Sequence, residues 1–391
     1  VVGILDGFKW LMEGSTSQVR PLSIDEVSRI HFQGGSYLGT SRANPTKKAE
    51  SLANVLSSLM RLGITQLVTI GGDDTAFSAL KLEEQAAGRI QIVHVPKTID
   101  NDLDLPHGIP TFGFQTARHF GVEIVKNLMV DAQTTSRWYL AVTMGRKAGH
   151  LALGIGKAAG ATLTVIPEEF GERPVRLQRV LDLVIGTMIK RLSGGRSDGV
   201  VVLAEGLIEI LDPRDLGGLD HVERDEHGNL RLADVDIGDV LRREVTKGMK
   251  ALGLATSIVT KNVGYELRCA DPIPFDMEYT RDLGYCAAQF LLDGGTAAMV
   301  SIQDGRFMPI PFKQMVDPVT GRAKVRMVDT TAQSYQIARQ YMIRLSDEDF
   351  KDPVALGRCA ALAGMSPEAF QRRFQQVGSN VAGTQSKGSA T

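Results

Sequence analysis

The chain has 391 residues, 43% of them hydrophobic, which is enough for a large buried core and more than one lobe. Lys and Arg number 44 against 45 Asp and Glu, a formal charge of -1, which excludes a global basic field for nucleic acid but leaves room for a local cation cluster aimed at small anions. Three widely spaced cysteines, Cys269, Cys286 and Cys359, exclude a disulfide scaffold, and no run of about 20 apolar residues, signal peptide or transit segment is recognisable, so a cytoplasmic chain with no membrane contact is expected.

In chain order, Val1 to Leu5 reads as a strand with Asp6-Gly7 as its turn, and Pro21 opens a short helix with Ile24, Val27 and Ile30 at helical spacing. Gly34 to Pro45 has no periodicity and is a loop that carries Arg42. Lys47 to Leu59 is a helix with Leu52, Val55, Leu56 and Leu59 on one face. The run QLVTI is a buried strand that ends at Ile70, passes through Gly71, Gly72, Asp73 and Asp74, and enters a helix from Thr75; a second apolar run, RIQIVHV, ends in PKTIDND. A long helix over Thr111 to Ala132 turns Phe120, Ile124, Val125 and Leu128 toward the core.

WYLAVTM, Ala161 to Phe170, Asp198 to Gly206, Leu254 to Thr260 and Thr296 to Ile302 read as further strands, separated by helices over Leu151 to Ala159, Val175 to Leu192, residues 235–252 and Asp276 to Asp293. Leu211 to Asp234 is a charged loop with a short hairpin at His227-Gly228, Asp304 starts a hairpin turn, residues 332–342 and 366–376 are late helices, and the last residues form a polar tail. This βαβ succession predicts largely parallel sheets.

If the strands ending at Ile70 and Val95 are neighbours, Asp73, Asp74, Lys97, Asp100 and Asp102 converge at their carboxyl ends, where open α/β sheets bind ligands. Four carboxylates around one lysine repel one another unless a cation joins them, and magnesium with a polyphosphate is the natural occupant. Gly71 and Gly72 allow close approach of backbone to such a ligand, and the following helix start offers N–H groups to anionic oxygens.

Together GGDDT, PKTIDND, MGRKAGH and AEG resemble the phosphofructokinase family, and more closely its diphosphate-dependent branch, over nearly the whole chain. The resemblance implies an α/β fold of two Rossmann-like lobes with the active site in the cleft between them. Residues 1–134 would form the phosphoryl-donor lobe, 138–300 the fructose 6-phosphate lobe, and 301–391 a segment packing back on the first. It also implies a further strand and a Gly-rich donor loop ahead of Val1, expected to be missing here. The implied reaction is reversible phosphoryl transfer from pyrophosphate to the 1-hydroxyl of fructose 6-phosphate. The alternatives are ATP as donor, or a non-catalytic regulatory subunit, whose usual marks would be loss of the TIDND acid or of Glu205.

By the same resemblance Asp100 is the base, Asp102 orients it, Thr98 donates to a transferring oxygen, and Asp73 holds magnesium. Arg42 contacts the donor phosphates. Asp74 and Lys97 stand where ATP-using relatives resemble glycine, so Asp74 rejects an α-phosphate and Lys97 holds the departing phosphate. Met144, Gly145, Arg146 and Glu205 bind the sugar and its phosphates, while Lys261, Tyr265 and Arg268 bind the 6-phosphate, with tyrosine in place of the family's histidine. Arg137 reaches the 6-phosphate of an adjacent subunit, which makes a homodimer or homotetramer the expected assembly. An allosteric nucleotide pocket is expected to be absent or silent.

Overall fold

The computed structural model describes residues 1–217 and 235–378; the hairpin expected at His227-Gly228 and the polar tail lie outside the described residues. Small turns open the chain: β1 (Val2–Ile4) pairs antiparallel with β2 (Val19–Pro21). The helix expected from Pro21 begins at Ile24, because Ser23 and Glu26 form a capping box there, and it ends after one turn at Val27. The helix Ala49–Arg61 buries Val55, Leu56 and Leu59 as its periodicity predicts.

Next, β3 (Gln66–Gly71) and β4 (Gln91–Thr98) run parallel with Gly71 opposite Pro96, and β5 (Phe112–Gly113) pairs with the Lys97–Thr98 end of β4. β3 is not buried on both faces. Leu67 and Thr69 face the helices, whereas Val68 and Ile70 are 39% and 58% exposed. The helix Pro274–Leu292 covers Val93 and Val95 of β4 and leaves those two edge-strand residues open. The helix between β3 and β4 is Asp73–Ala86, two residues earlier than expected, with the extended Gly72 as its N-cap.

The helix Phe114–Thr135 follows, its first turn held by Asp276, which accepts from the amides of Gly113 and Thr116 and from the Thr116 hydroxyl at 3.1, 2.8 and 2.5 Å. Of its four apolar residues expected inside, Val125 is fully buried and Phe120 is exposed. Then β6 (Trp138–Thr143), β7 (Leu163–Val165), β8 (Gly199–Ala204) and β9 (Ile258–Val263) form a wholly parallel sheet in the order β7-β8-β6-β9. Every residue of β6 and β8 is buried, as central parallel strands covered on both faces require. Helices Leu177–Ser193, Ile237–Ala251, Pro353–Leu362 and Pro367–Gly378 share this core through Val184, Met188, Leu241, Cys359, Phe370 and Phe374.

The chain returns to the first sheet with β10 (Ala298–Met299), parallel to β4, then the hairpin of β11 (Ile302–Gln303) and β12 (Arg306–Phe307), and β13 (Ile310–Pro311) antiparallel to β10. Contacts divide the chain into two compact units, Val1–Ala117 with Tyr265–Arg326, and Arg118–Gly264 with the chain from Met327 onward. This differs from the linear division at 134, 300 and beyond. Because β10 and β13 complete the sheet of β3 and β4, residues from Tyr265 to Arg326 belong with the first unit, and only the remainder of the C-terminal segment joins the second. Among the described residues no helix is long and apolar enough to cross a membrane.

Candidate active site

In the first unit the two acid-rich turns do lie together, because β3 and β4 are neighbours in register. A side chain at Gly71 would come within 2.4 Å of Thr75 Oγ1, and one at Gly72 would rest 3.7 Å from Thr98 Cβ, so the first turn packs on its own helix and against the second turn. Asp73 and Asp74 occupy the first helical turn, where the helix dipole favours carboxylates; Asp73 is half-buried and Asp74 exposed. Beneath them His94 is fully buried, with Nδ1 2.9 Å from Thr69 Oγ1 and Nε2 3.1 Å from the Gly71 carbonyl. Burial pushes its pKa down to about 4, so the ring is neutral, and its bond to a carbonyl puts the proton on Nε2.

The second turn is tied to itself. Asp100 donates its amide to Thr98 Oγ1 at 3.1 Å, which leaves the Thr98 hydroxyl proton to point elsewhere, and Thr111 Oγ1 donates to the Thr98 carbonyl at 2.7 Å. Asn101 sits at φ +57, with Oδ1 accepting from the Thr111 amide at 3.0 Å. Lys97 and Asp100 are half-buried. Burial of the ammonium lowers the pKa of Lys97, the Arg268 guanidinium lowers it further, and Asp100 opposes them.

The four acids of these turns do not make a metal cluster. Among the described residues no group of three or more His, Cys, Asp or Glu could hold a metal. Asp102 is 6% exposed, and its charge acts on the Arg326 guanidinium. One half-buried carboxylate, Asp73, fits an ion that keeps most of its waters and takes the rest of its ligands from substrate phosphates, as magnesium does.

Arg268 and Tyr265 lie on the short helix Tyr265–Arg268 of this same unit. Arg268, expected with Lys261 and Tyr265 at the 6-phosphate, is near enough to Lys97 for its charge to act on it. Tyr265 is 71% exposed with the Arg268 guanidinium 5.4 Å from its ring centroid, so it is not an interior packing residue. Arg42 is exposed on a loop anchored at Gly34, whose amide donates to Asp271 Oδ1 at 2.9 Å.

In the second unit Met144, Gly145, Arg146 and Glu205 come together at the carboxyl ends of β6 and β8. The Met144 amide donates to the Val263 carbonyl at 3.3 Å, the Glu205 amide to the Thr143 carbonyl at 2.9 Å, and the Gly206 amide to the Gly145 carbonyl at 3.1 Å. Gly145 has φ +124, a conformation that favours glycine and turns the chain out of the strand. Lys261 is exposed on edge strand β9, level with Ala141. Arg137 precedes β6 and so lies at the amino end of this sheet, a strand length of roughly 20 Å from Glu205. Its neighbour Tyr139 donates to Asp131, which holds the phenol above its ordinary pKa, and Arg137 Nε is buried without a hydrogen-bond partner.

Residues 1–291 match the phosphofructokinase family. The chain is 52% identical to a pyrophosphate–fructose 6-phosphate 1-phosphotransferase of Thermotoga maritima over 96% of this chain and 90% of the relative. It is 48% identical to the enzyme so named in Naegleria fowleri, over 96% of this chain and 88% of the relative. The crystal structure of a pyrophosphate-dependent phosphofructokinase from Nitrosospira multiformis superposes with a TM-score of 0.64 at 18% identity, covering 87% of this chain and 81% of the other, a likeness of fold.

Proposed function

Because the chain belongs to the phosphofructokinase family, we propose that it transfers a phosphoryl group reversibly from inorganic pyrophosphate to the 1-hydroxyl of fructose 6-phosphate, giving fructose 1,6-bisphosphate and phosphate. The observation that carries the choice of donor is the pair Asp74 and Lys97 on adjoining turns after β3 and β4. Asp74 presents bulk and negative charge where the α-phosphate of ATP would extend. Lys97, held in a dry place beside another cation, gains most when an anion arrives, and it receives the departing phosphate.

In the forward direction the 1-oxygen attacks the transferring phosphorus, the bond from that phosphorus to the bridging oxygen breaks, and Asp100 takes the hydroxyl proton late, as the new bond acidifies it. Thr98 donates its hydroxyl to a transferring oxygen, and the amides after Gly71 and Gly72 donate to the outer oxygens of pyrophosphate, with Arg42 reaching them from its loop. Asp73 would hold magnesium, which when bound would neutralise charge on the phosphates. Arg146 pairs with phosphate near the reacting centre, Met144 and Gly145 shape the sugar site, and Glu205 accepts from sugar hydroxyls. Lys261, Tyr265 and Arg268 are assigned to phosphate binding, Arg268 close to Lys97. Asp102 is assigned to orienting Asp100. The amino-end position of Arg137 supports a role in the site of an adjacent subunit, hence a homo-oligomer. Three free thiols, Cys269 among them exposed, suit the cytoplasm.

Initial rates with pyrophosphate and with ATP at equal magnesium test the reading. The wild type should favour pyrophosphate by at least about 10³-fold, a discrimination of roughly 4 kcal/mol. Asp74→Gly should gain ATP activity and Lys97→Gly should lose pyrophosphate activity. Comparable wild-type rates with both donors would move the chain to the ATP-using branch.

A further inference from the structure

The loop from Thr98 to Thr111 carries Asp100, and its inner side is a row of carbonyl oxygens facing one side chain from far along the chain. Arg326 donates from Nη2 to the Asn101 carbonyl at 2.9 Å and to Asn101 Oδ1 at 2.5 Å, and from Nη1 to the Ile109 carbonyl at 2.8 Å and the Leu105 carbonyl at 3.2 Å. Its own amide donates to the Asp102 carbonyl at 2.8 Å, and Leu103 bridges to Val325. Asn101, held by two of these bonds, is the residue at φ +57, next to Asp100. Leu103 and Leu105 anchor the middle of the loop in the core, while the guanidinium ties Asn101, next to the base, to the limb at Leu105 and Ile109.

We propose that Arg326 is a positioning residue for the phosphoryl transfer: its fork, spread across Asn101, Leu105 and Ile109, sets the backbone that aims Asp100. The inference rests on the proposed role of Asp100 as base. A lysine at 326 keeps the charge beside Asp102 but, as a point donor, cannot span carbonyls on both limbs of the loop. Arg326→Lys should therefore fold, while kcat falls about 10- to 100-fold, the scale on which small misplacements of a reacting group act. KM for pyrophosphate and for fructose 6-phosphate should stay within about threefold, since Lys97 and Thr98 are held in β4 by its pairing with β5 and the other residues assigned to binding lie outside the loop.

Two variants and two readouts keep the test decisive. Arg326→Ala should recover part of its lost kcat in millimolar methylguanidinium, which restores the fork and nothing else. Amide hydrogen exchange of the full-length protein should show faster exchange over residues 99–111 in Arg326→Lys, with the parallel sheet of the second unit unchanged. A wild-type kcat in Arg326→Lys, a loss that appears in KM alone, or unchanged exchange over 99–111 would overturn the proposal. Should the wild type fail to use pyrophosphate, the proposed reaction falls, and the exchange comparison still decides what Arg326 holds.

Discussion

His94 shows how much one buried side chain contributes beneath an acid-rich turn. It stands in a strand between Thr69 and the Gly71 carbonyl, and replacing it with an apolar residue leaves that buried carbonyl without its donor at about 1–3 kcal/mol, while Thr69 keeps the Val93 carbonyl. Its folded pKa of about 4 lies below the ordinary 6.5, so as pH falls the unfolded chain takes up the proton first. His94 therefore costs no stability above pH 6.5, an increasing amount from there to about pH 4, and no more below, up to roughly 3 kcal/mol in all. Urea midpoints across that range should fall more steeply for the wild type than for His94→Gln, which keeps a donor for Gly71. Parallel curves would contradict this. A histidine inside an apolar run is visible in RIQIVHV, but whether it is a ligand or a strut depends on what lies across the sheet.

At the scale of elements, the site depends on how closely neighbouring strand ends approach. A Cβ at Gly206 would lie 2.4 Å from the Arg146 carbonyl oxygen, and backbone cannot swing aside as a flexible side chain can. Gly206→Ala should push the Met144–Arg146 turn away from Glu205 and raise KM for fructose 6-phosphate about tenfold or more, with pyrophosphate binding little changed. Steady-state titration of each substrate separates the two; equal effects on both would argue for general loosening. The same closeness explains why the glycines of GGDDT and AEG were readable as motif residues before their partners were known, since a local requirement for no side chain leaves a local mark. Helix starts were less legible. The helix after β3 begins at Asp73 because Gly72 adopts the N-cap conformation, so both acids lie on the helix and not in the loop before it.

For the whole molecule, the amino-end position of Arg137 and the carboxyl-end position of Glu205 set the last expectation. Asp100→Ala should lower turnover about 10³-fold or more with the fold intact, and Arg137→Ala should weaken fructose 6-phosphate binding. Mixed and reassembled, the two variants should regain part of the activity that each lacks, if sites are shared between subunits. No recovery on mixing, or a fully active monomer by sedimentation, would refute a shared site. The largely parallel character of the sheets and the neighbouring strands expected to end at Ile70 and Val95 were legible in the sequence itself, although those strands run on to Gly71 and Thr98. Apolar periodicity, glycine placement and acid-rich turns are properties of a few adjacent residues, and they need no distant partner to be recognised. The tertiary structure alone decided that Asp102 is buried, that Arg268 stands near Lys97, and that residues 265–326 complete the first unit. Those facts hang on pairings such as Arg326 with Asn101, 225 residues apart, which arise only when chain return brings a donor to waiting carbonyls and which leave no periodic trace at either end.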